Sequence, residues 1–298
     1  MWIHLNGRLV PESEAKVSVF DRGFLYGDGV FESMRAVNGT VFRQALHLER
    51  LSRSARSVGI DAIPPTQEVG AACRELLDAN RLLGARLRIT LTRGPGRPGE
   101  YLGTTGPATV VISAAPFAGC DPMLHREGVK VVIPQHRQIP AASLDPAVKS
   151  TSRLASVLAR RQASERGGFE AVLLDSDGHL TEGTVSNLFL VQNGRLLTSR
   201  TPSGGLPGIT REVVFELARE SGIAISEERL PVDLLETAQE AFLTNTSWEI
   251  LPIIQVDERR IGAGVPGPLT LDLLVRYREL VARECGVVEG RPPGERAT

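Results

Sequence analysis

The chain has 298 residues, 42% hydrophobic and 23% charged, with a formal net charge of −1. That length and balance suit a globular protein with a sizeable core, in one large or two modest domains, and the near-neutral charge gives no electrostatic case for nucleic acid or an anionic membrane. Cys73, Cys120 and Cys285 form no CxxC or Cys/His spacing, no run of ~18 apolar residues occurs, and the first residues lack a signal peptide's apolar stretch; a cytoplasmic protein without zinc, disulfides or a membrane span is expected.

Residues 3–10 alternate about Asn6-Gly7 and predict a β-hairpin. Residues 30–37 read as a strand, Asn38-Gly39 as a tight turn and 40–43 as the return strand. From Ala45 the period changes: Leu48, Leu51, Ala55 and Val58 mark a helix that Gly59 stops. A second helix, about 66–83, follows Pro64-Pro65 and presents Val69, Cys73, Leu76 and Leu77. Residues 86–92 form a half-exposed strand, 94–103 a Gly/Pro loop and 108–114 a buried strand. Periodicity is lost over 117–127. This places a linker at 119–128 between a small N-terminal domain, 1–118, and a larger one, 129–286.

In the larger domain, 129–133 reads as a strand, and 135–148 is polar and broken by Pro140 and Pro146. A helix follows Lys149 as far as Arg166, with Leu154, Val157 and Leu158 inward. Residues 169–174 and 184–191 are apolar strands with Ser176-Asp177-Gly178 turning between them, and Asn193-Gly194 marks another hairpin. A glycine loop, 204–208, opens a helix over about 210–221, and a short helix covers 232–238. Strands at 240–243 and 249–256 flank the polar turn 244–247; a helix over 269–285 closes the fold, and 287–298 reads as a disordered tail. Interspersed strands and helices with many Asn-Gly and Asp-Gly turns give an α/β chain of the mixed α+β kind, in two domains.

The chain has three lysines, Lys16, Lys130 and Lys149, amid abundant arginine. Chemistry that needs an amine able to lose its proton has few candidates, because a guanidinium stays charged. Lys149 follows an apolar residue, and Glu182 stands where a turn gives way to an apolar strand. Leu206-Pro207-Gly208-Ile209-Thr210-Arg211 opens a helix as a phosphate cradle would, or simply caps it. Arg50, among apolar helix positions, needs an anionic partner: a phosphate, or Glu49 or Glu32. Thr244-Asn245-Thr246-Ser247 suits a phosphate shell or a hydrogen-bonded turn. Together, an amine, a carboxylate, an arginine and a phosphate-type helix start are the handles that pyridoxal phosphate needs.

Residues Asp21 to Glu32, His47-Leu48-Glu49-Arg50-Leu51, Lys149-Ser150, Leu180 to Phe189, Leu206 to Arg211 and Thr244 to Pro252 occur in the order found in class IV aminotransferases. The chain resembles this family, the fold-type IV pyridoxal-phosphate enzymes, from about Asn6 to Val256. The resemblance implies two α/β domains with the active site between them, usually in a homodimer. It implies Lys149 as the Schiff-base lysine and general acid/base, and Glu182 as partner of the pyridine nitrogen. Arg50, the amides of Ile209 and Thr210, and Thr246 would hold the phosphate. Arg153 would approach the ring hydroxyl, and Ser186 and Asn187 would line the ring's edge.

The resemblance leaves the substrate open among branched-chain L-amino acids, D-amino acids and primary amines, with a 2-oxo acid as acceptor. Tyr26 and Phe31 resemble the aromatic pair of the branched-chain enzymes. Arg97 matches half of the Arg-x-His carboxylate trap of D-alanine enzymes, but Gly99 stands where the histidine would be. The turn containing Ser247 and Trp248 looks more like that of 4-amino-4-deoxychorismate lyases, which release pyruvate and 4-aminobenzoate. An aminotransferase is therefore the first expectation and a lyase the second; a fold relative that only binds ligand is a third.

Overall fold

The computed structural model describes residues 1–97, 99 and 106–287. The chain divides into two compact units: Met1–Ala118 with Val148–Ser152 and Val281–Thr298, and Gly119–Ala147 with Arg153–Leu280. The segment bearing Lys149 thus groups with the first unit, whereas the sequence reading put it in the second.

The first unit contains β1 (Trp2–Leu5), β2 (Arg8–Pro11), α1 (Arg22–Tyr26), β3 (Gly29–Val37), β4 (Thr40–Val41), α2 (Gln44–Ser57), α3 (Thr66–Ala79), β5 (Ala85–Thr92) and β6 (Thr109–Pro116). Its strands form an antiparallel six-stranded sheet in the order β2-β1-β6-β5-β3-β4. Strict alternation buries Val30, Glu32, Met34 and Ala36 on one face of β3. The apolar stripes of α2 and α3 join the same core, with Leu48, Leu51, Ala55, Val69, Leu76 and Leu77 among its members. Val148–Ser152 pairs with the start of β3: Val30 bridges Ser150, and the Phe31 amide donates to Lys149 O at 2.9 Å.

The second unit follows with α4 (Pro122–Glu127), β7 (Val129–Val132), α5 (Leu154–Glu165), β8 (Glu170–Leu174), β9 (His179–Gly183), β10 (Asn187–Gln192), β11 (Arg195–Ser199), α6 (Thr201–Gly204), α7 (Ile209–Glu220), β12 (Ile225–Glu228), β13 (Leu230–Pro231), α8 (Leu234–Thr237), β14 (Glu240–Asn245), β15 (Glu249–Val256) and β16 (Arg259–Arg260). The helix α9 (Pro268–Glu284) begins here. The sheet runs β12-β11-β10-β14-β15-β7-β8-β9-β13, with parallel pairs at β11–β12, β15–β7 and β7–β8. One further pairing, Asn187 with Glu182, links β9 back to β10, so the path from β10 through β14, β15, β7 and β8 to β9 closes on itself.

Three expectations need correction. The stretch 119–128 is not a plain linker, because Pro122 at the first turn and the Asp121 cap, accepting from the Met123 amide at 2.9 Å, start α4 there. Residues 174–184 hold β9, a short strand with a polar sequence that the Ser176-Asp177-Gly178 turn feeds directly. Leu154 and Val157 are not inward but 70% and 58% exposed, and Leu158 is exposed too. The face of α5 that packs is Ala159 and Ala163, against Val132, Ala171 and Leu173, because alanine lets the helix lie close on the sheet. Residues 98, 100–105 and 288–298, which hold most of the expected tail and part of the 94–103 loop, lie outside the described residues.

Candidate active site

In the first unit the site begins with a buried carboxylate. Glu32 is the fourth residue of a strand whose apolar register would suit a hydrophobe, and it is fully buried. Such a charge requires paired partners. The α2 helix provides them one turn apart: Arg50 donates to Glu32 through Nε at 2.7 Å and Nη2 at 2.8 Å, and His47 Nδ1 lies at 2.8 Å. Burial alone would raise the Glu32 pKa, but the Arg50 guanidinium and the bonds from Arg50 and His47 outweigh it and hold the carboxyl well below the usual range. His47 moves down from its ordinary value: burial dominates, and the charges of Arg50 and Lys149 act in the same direction against Glu32. Arg50 therefore has the buried Glu32 as its ion-pair partner, one of the alternatives open in the sequence.

Lys149 is half-buried on the segment that extends β3, its amide donating to Ser54 Oγ of α2 at 3.2 Å. Its Nζ lies 5.0 Å from the centroid of the Phe31 ring, and the Arg88 guanidinium lies 4.0 Å from the same ring. Tyr26 ends α1 with Arg22 over its ring. Arg22 and Arg93 both donate to Asp28, which fixes the turn between α1 and β3. Arg97 is exposed.

In the second unit Glu182 leads a row across the sheet. It pairs with Asn187, which pairs with Thr244, so the three side chains share one face. Gln138 Nε2 donates to Glu182 Oε1 at 3.0 Å, and the Leu206 amide donates to Oε2 at 2.8 Å. Asn187 Nδ2 reaches Leu206 O at 2.8 Å. The loop is glycine-rich because it runs against these side chains: a Cβ on Gly208 would collide with Asn187 Oδ1, and one on Gly205 would come within 3.2 Å of Glu182 Oε2. Immediately after it, α7 starts at Ile209 and Thr210, both buried, with no side chain capping its N-terminal amides. Ser186 Oγ and Thr244 Oγ1 are buried without a hydrogen-bond partner. Unmet hydroxyls, an anchored carboxylate and an uncapped helix start are the donor set that a phosphorylated heteroaromatic ring would use.

Arg153 stands at the N-cap of α5 and donates to Thr184 O; Thr184 Oγ1 in turn donates to the buried Glu170 at 2.6 Å. Thr246 and Ser247 are half-buried in a turn that Asn245 Oδ1 closes by accepting from the Ser247 and Trp248 amides. Trp248 packs against Phe169, ring centroids 5.0 Å apart, beneath the Arg160 guanidinium.

Residues 29–256 match the family Amino-transferase class IV. The chain belongs to the class IV aminotransferase family. A Methanocaldococcus jannaschii sequence named provisionally as a branched-chain-amino-acid aminotransferase is 42% identical over 280 residues, covering 94% of this chain and 96% of its own. The D-alanine aminotransferase of Bacillus licheniformis is 32% identical, over 95% and 98% of the two chains. The crystal structure of the Escherichia coli branched-chain amino acid aminotransferase superposes with a TM-score of 0.91 at 30% identity, covering 97% of each chain. The fold is the mixed α/β fold of these enzymes, and the family depends on pyridoxal phosphate.

Within this class IV aminotransferase, sequence reasoning left three contributors without a role: Gln138 and the Leu206 amide, which hold Glu182, and His47, which bonds Glu32 beside Arg50. Glu32 carried a signal, a carboxylate in the buried register of an alternating strand. Gln138 carried none, since it lies in a segment without periodicity.

Proposed function

We propose that this enzyme uses pyridoxal 5'-phosphate to move the amino group of a branched-chain L-amino acid to a 2-oxo acid. The observation that supports this most is the Glu182 carboxylate, tied down at both oxygens and standing in one row with Asn187 and Thr244, beside glycines that keep the loop close. When bound, the cofactor supplies a cationic ring that draws electrons from the bond broken at the substrate α-carbon.

The chain's own residues have these roles. Glu182 would face the ring nitrogen of the cofactor and favour its protonated form. The Ile209 and Thr210 amides, at the positive end of α7, receive the phosphate together with Thr246 and with Arg50, whose guanidinium Glu32 keeps from swinging. Ser186 and Asn187 would hold the ring's edge, and Arg153 would serve its hydroxyl. Lys149 would hold the cofactor through its side-chain amine and, once displaced by the substrate, would move the proton at the substrate α-carbon. Tyr26 and Phe31 line the side-chain pocket, with Ser247, Trp248 and Arg97 as further substrate contacts.

Exposed Leu154, Val157 and Leu158 on α5, with Val19, Phe20 and Phe24 in the first unit, give surfaces that a second copy of the chain would cover, so we read the enzyme as a homodimer. Three free cysteines suit a cytoplasmic setting. Among the described residues no helix is long and apolar enough to cross a membrane. The test is a panel of L-leucine, L-valine, D-alanine, a primary amine and aminodeoxychorismate added singly to loaded enzyme. L-leucine and L-valine should convert the cofactor to its amine form, read by absorbance. Conversion by D-alanine alone would refute the substrate assignment, and pyruvate release from aminodeoxychorismate without any conversion would replace it with the lyase reading.

A further inference from the structure

Helix α2 buries His47, Arg50 and Ser54 along one stripe, at the three- and four-residue spacing that puts neighbours on the same face. A polar group in such a place is costly unless it is paired. His47 and Arg50 are paired with Glu32 of β3. Ser54 is 1% exposed, and its hydroxyl oxygen meets the backbone of the lysine segment, accepting from the Lys149 amide at 3.2 Å. No part of the cofactor or substrate reading above gives Ser54 a role.

Lys149 sits at the centre of a three-residue turn, in which the Ser150 amide donates to Val148 O at 2.9 Å. The two peptide groups that flank its α-carbon are anchored from outside this turn. The peptide between Val148 and Lys149 is held through its N–H by Ser54 of α2. The peptide between Lys149 and Ser150 is held through its C=O by the Phe31 amide of β3, at 2.9 Å. Beyond it, Ser150 bridges Val30, and the Thr151 amide donates to Gly29 O at 2.9 Å. Each peptide is a rigid plane, so two anchored planes leave the α-carbon between them no free torsion and fix the direction in which its side chain departs. The sheet anchors the second plane and everything after it; Ser54 anchors the first.

We propose that Ser54 is a positioning residue for Lys149: by holding the 148–149 peptide against α2, it aims the lysine side chain from the same helix that carries Arg50. The role rests on the cofactor reading given above, and its test compares two forms of that cofactor. The aldehyde form, pyridoxal 5'-phosphate, joins the Lys149 amine through a C=N bond with loss of water, so its affinity depends on where that amine points. The amine form, pyridoxamine 5'-phosphate, makes no such bond and relies on the phosphate and ring contacts alone. Ser54→Cys nearly keeps the shape but offers only a weak acceptor, and Ser54→Ala removes the acceptor while favouring the helix. Equilibrium dialysis of the full-length enzyme against each form should show the aldehyde form bound about threefold to tenfold more weakly in both variants, the scale of one hydrogen bond, with the amine form unchanged within about twofold. Ser52→Ala removes a buried hydroxyl of the same helix that lines a small cavity with Leu51 and Ile63, and it should shift neither form. Unchanged aldehyde affinity in either Ser54 variant, an equal loss of both forms, or the same selective loss in Ser52→Ala would overturn the assignment. A parent enzyme that binds neither form would instead refute the cofactor reading, and the role of Ser54 with it.

Discussion

The buried triad of Glu32, Arg50 and His47 permits a quantitative test through Glu32→Gln. The substitution preserves volume and one acceptor but removes the charge that faces the guanidinium. Arg50 is 3% exposed, so water cannot take the place of the lost carboxylate. Leaving a buried cation with only a neutral partner costs about 3–5 kcal/mol. With roughly 2 °C of Tm per kcal/mol for a chain of this size, the melting temperature should fall by about 6–10 °C. Urea unfolding of both proteins at pH 7 measures the difference directly. The double variant Glu32→Gln/Arg50→Met should recover at least half of the loss, since no unpaired charge then stays buried.

The pH dependence fixes the cause. The folded pKa of Glu32 lies below its unfolded value, so its contribution is fully present above about pH 4.3 and is lost as pH falls toward the folded value. The stability gap between parent and variant should therefore be full at pH 7 and shrink below about pH 4. His47 has its folded pKa lowered as well, but it is a base, so the unfolded chain takes up its proton first and both proteins lose stability below about pH 6.5. Because Glu32 itself raises the His47 pKa, parent and variant are compared in a His47→Asn background, which removes that contribution from the difference. A loss under about 1 kcal/mol at pH 7, the worth of an exposed pair, or a gap that does not narrow in acid would refute the buried-pair argument.

Three further outcomes are expected. Lys149→Ala should abolish transamination and the visible absorbance of the loaded enzyme; normal turnover in that variant would remove Lys149 from the chemistry. Glu182→Gln should retain cofactor but slow the single-turnover half-reaction by about 10²-fold or more, the usual worth of a placed acid/base group, and an unchanged rate would contradict the role. Gly208→Ala should force Asn187 away from the loop and weaken cofactor binding by at least about tenfold, because a 1.4 kcal/mol displacement of one hydrogen-bonded group already gives that factor; unaltered affinity by fluorescence titration would show that the close approach is not needed.

The elements that were legible in the sequence are those fixed by their own few residues. The Asn6-Gly7 and Asn38-Gly39 turns, the stripes of α2 and α3, and the glycine loop before α7 each depend on local conformational preference. The motifs that name Lys149, Glu182, Asn187 and Thr210 as candidates are equally local, each read from a few contiguous residues. Partners brought in from a distance were not legible. The β9 strand, His-Leu-Thr-Glu-Gly, has little strand propensity and exists because β8, β10 and β13 pair with it. The inward face of α5 was misassigned because the larger side chains were taken to mark the core, whereas the close helix–sheet distance leaves room only for Ala159 and Ala163. Residues 135–147 gave no period, so Gln138 could not be placed opposite Glu182.

The two glutamates illustrate how partner type separates structure from chemistry. Glu32 is bound by a guanidinium and an imidazole inside an apolar register, so its charge is neutralised where it stands and its function is to orient Arg50. Glu182 takes hydrogen bonds from an amide side chain and a backbone amide, neither of which carries charge, and it remains half-buried. Those bonds fix the direction of its carboxylate. Under the proposed function, Gln138→Lys would place a further positive charge beside the Glu182 carboxylate, and the acidity of a bound pyridine nitrogen should then rise.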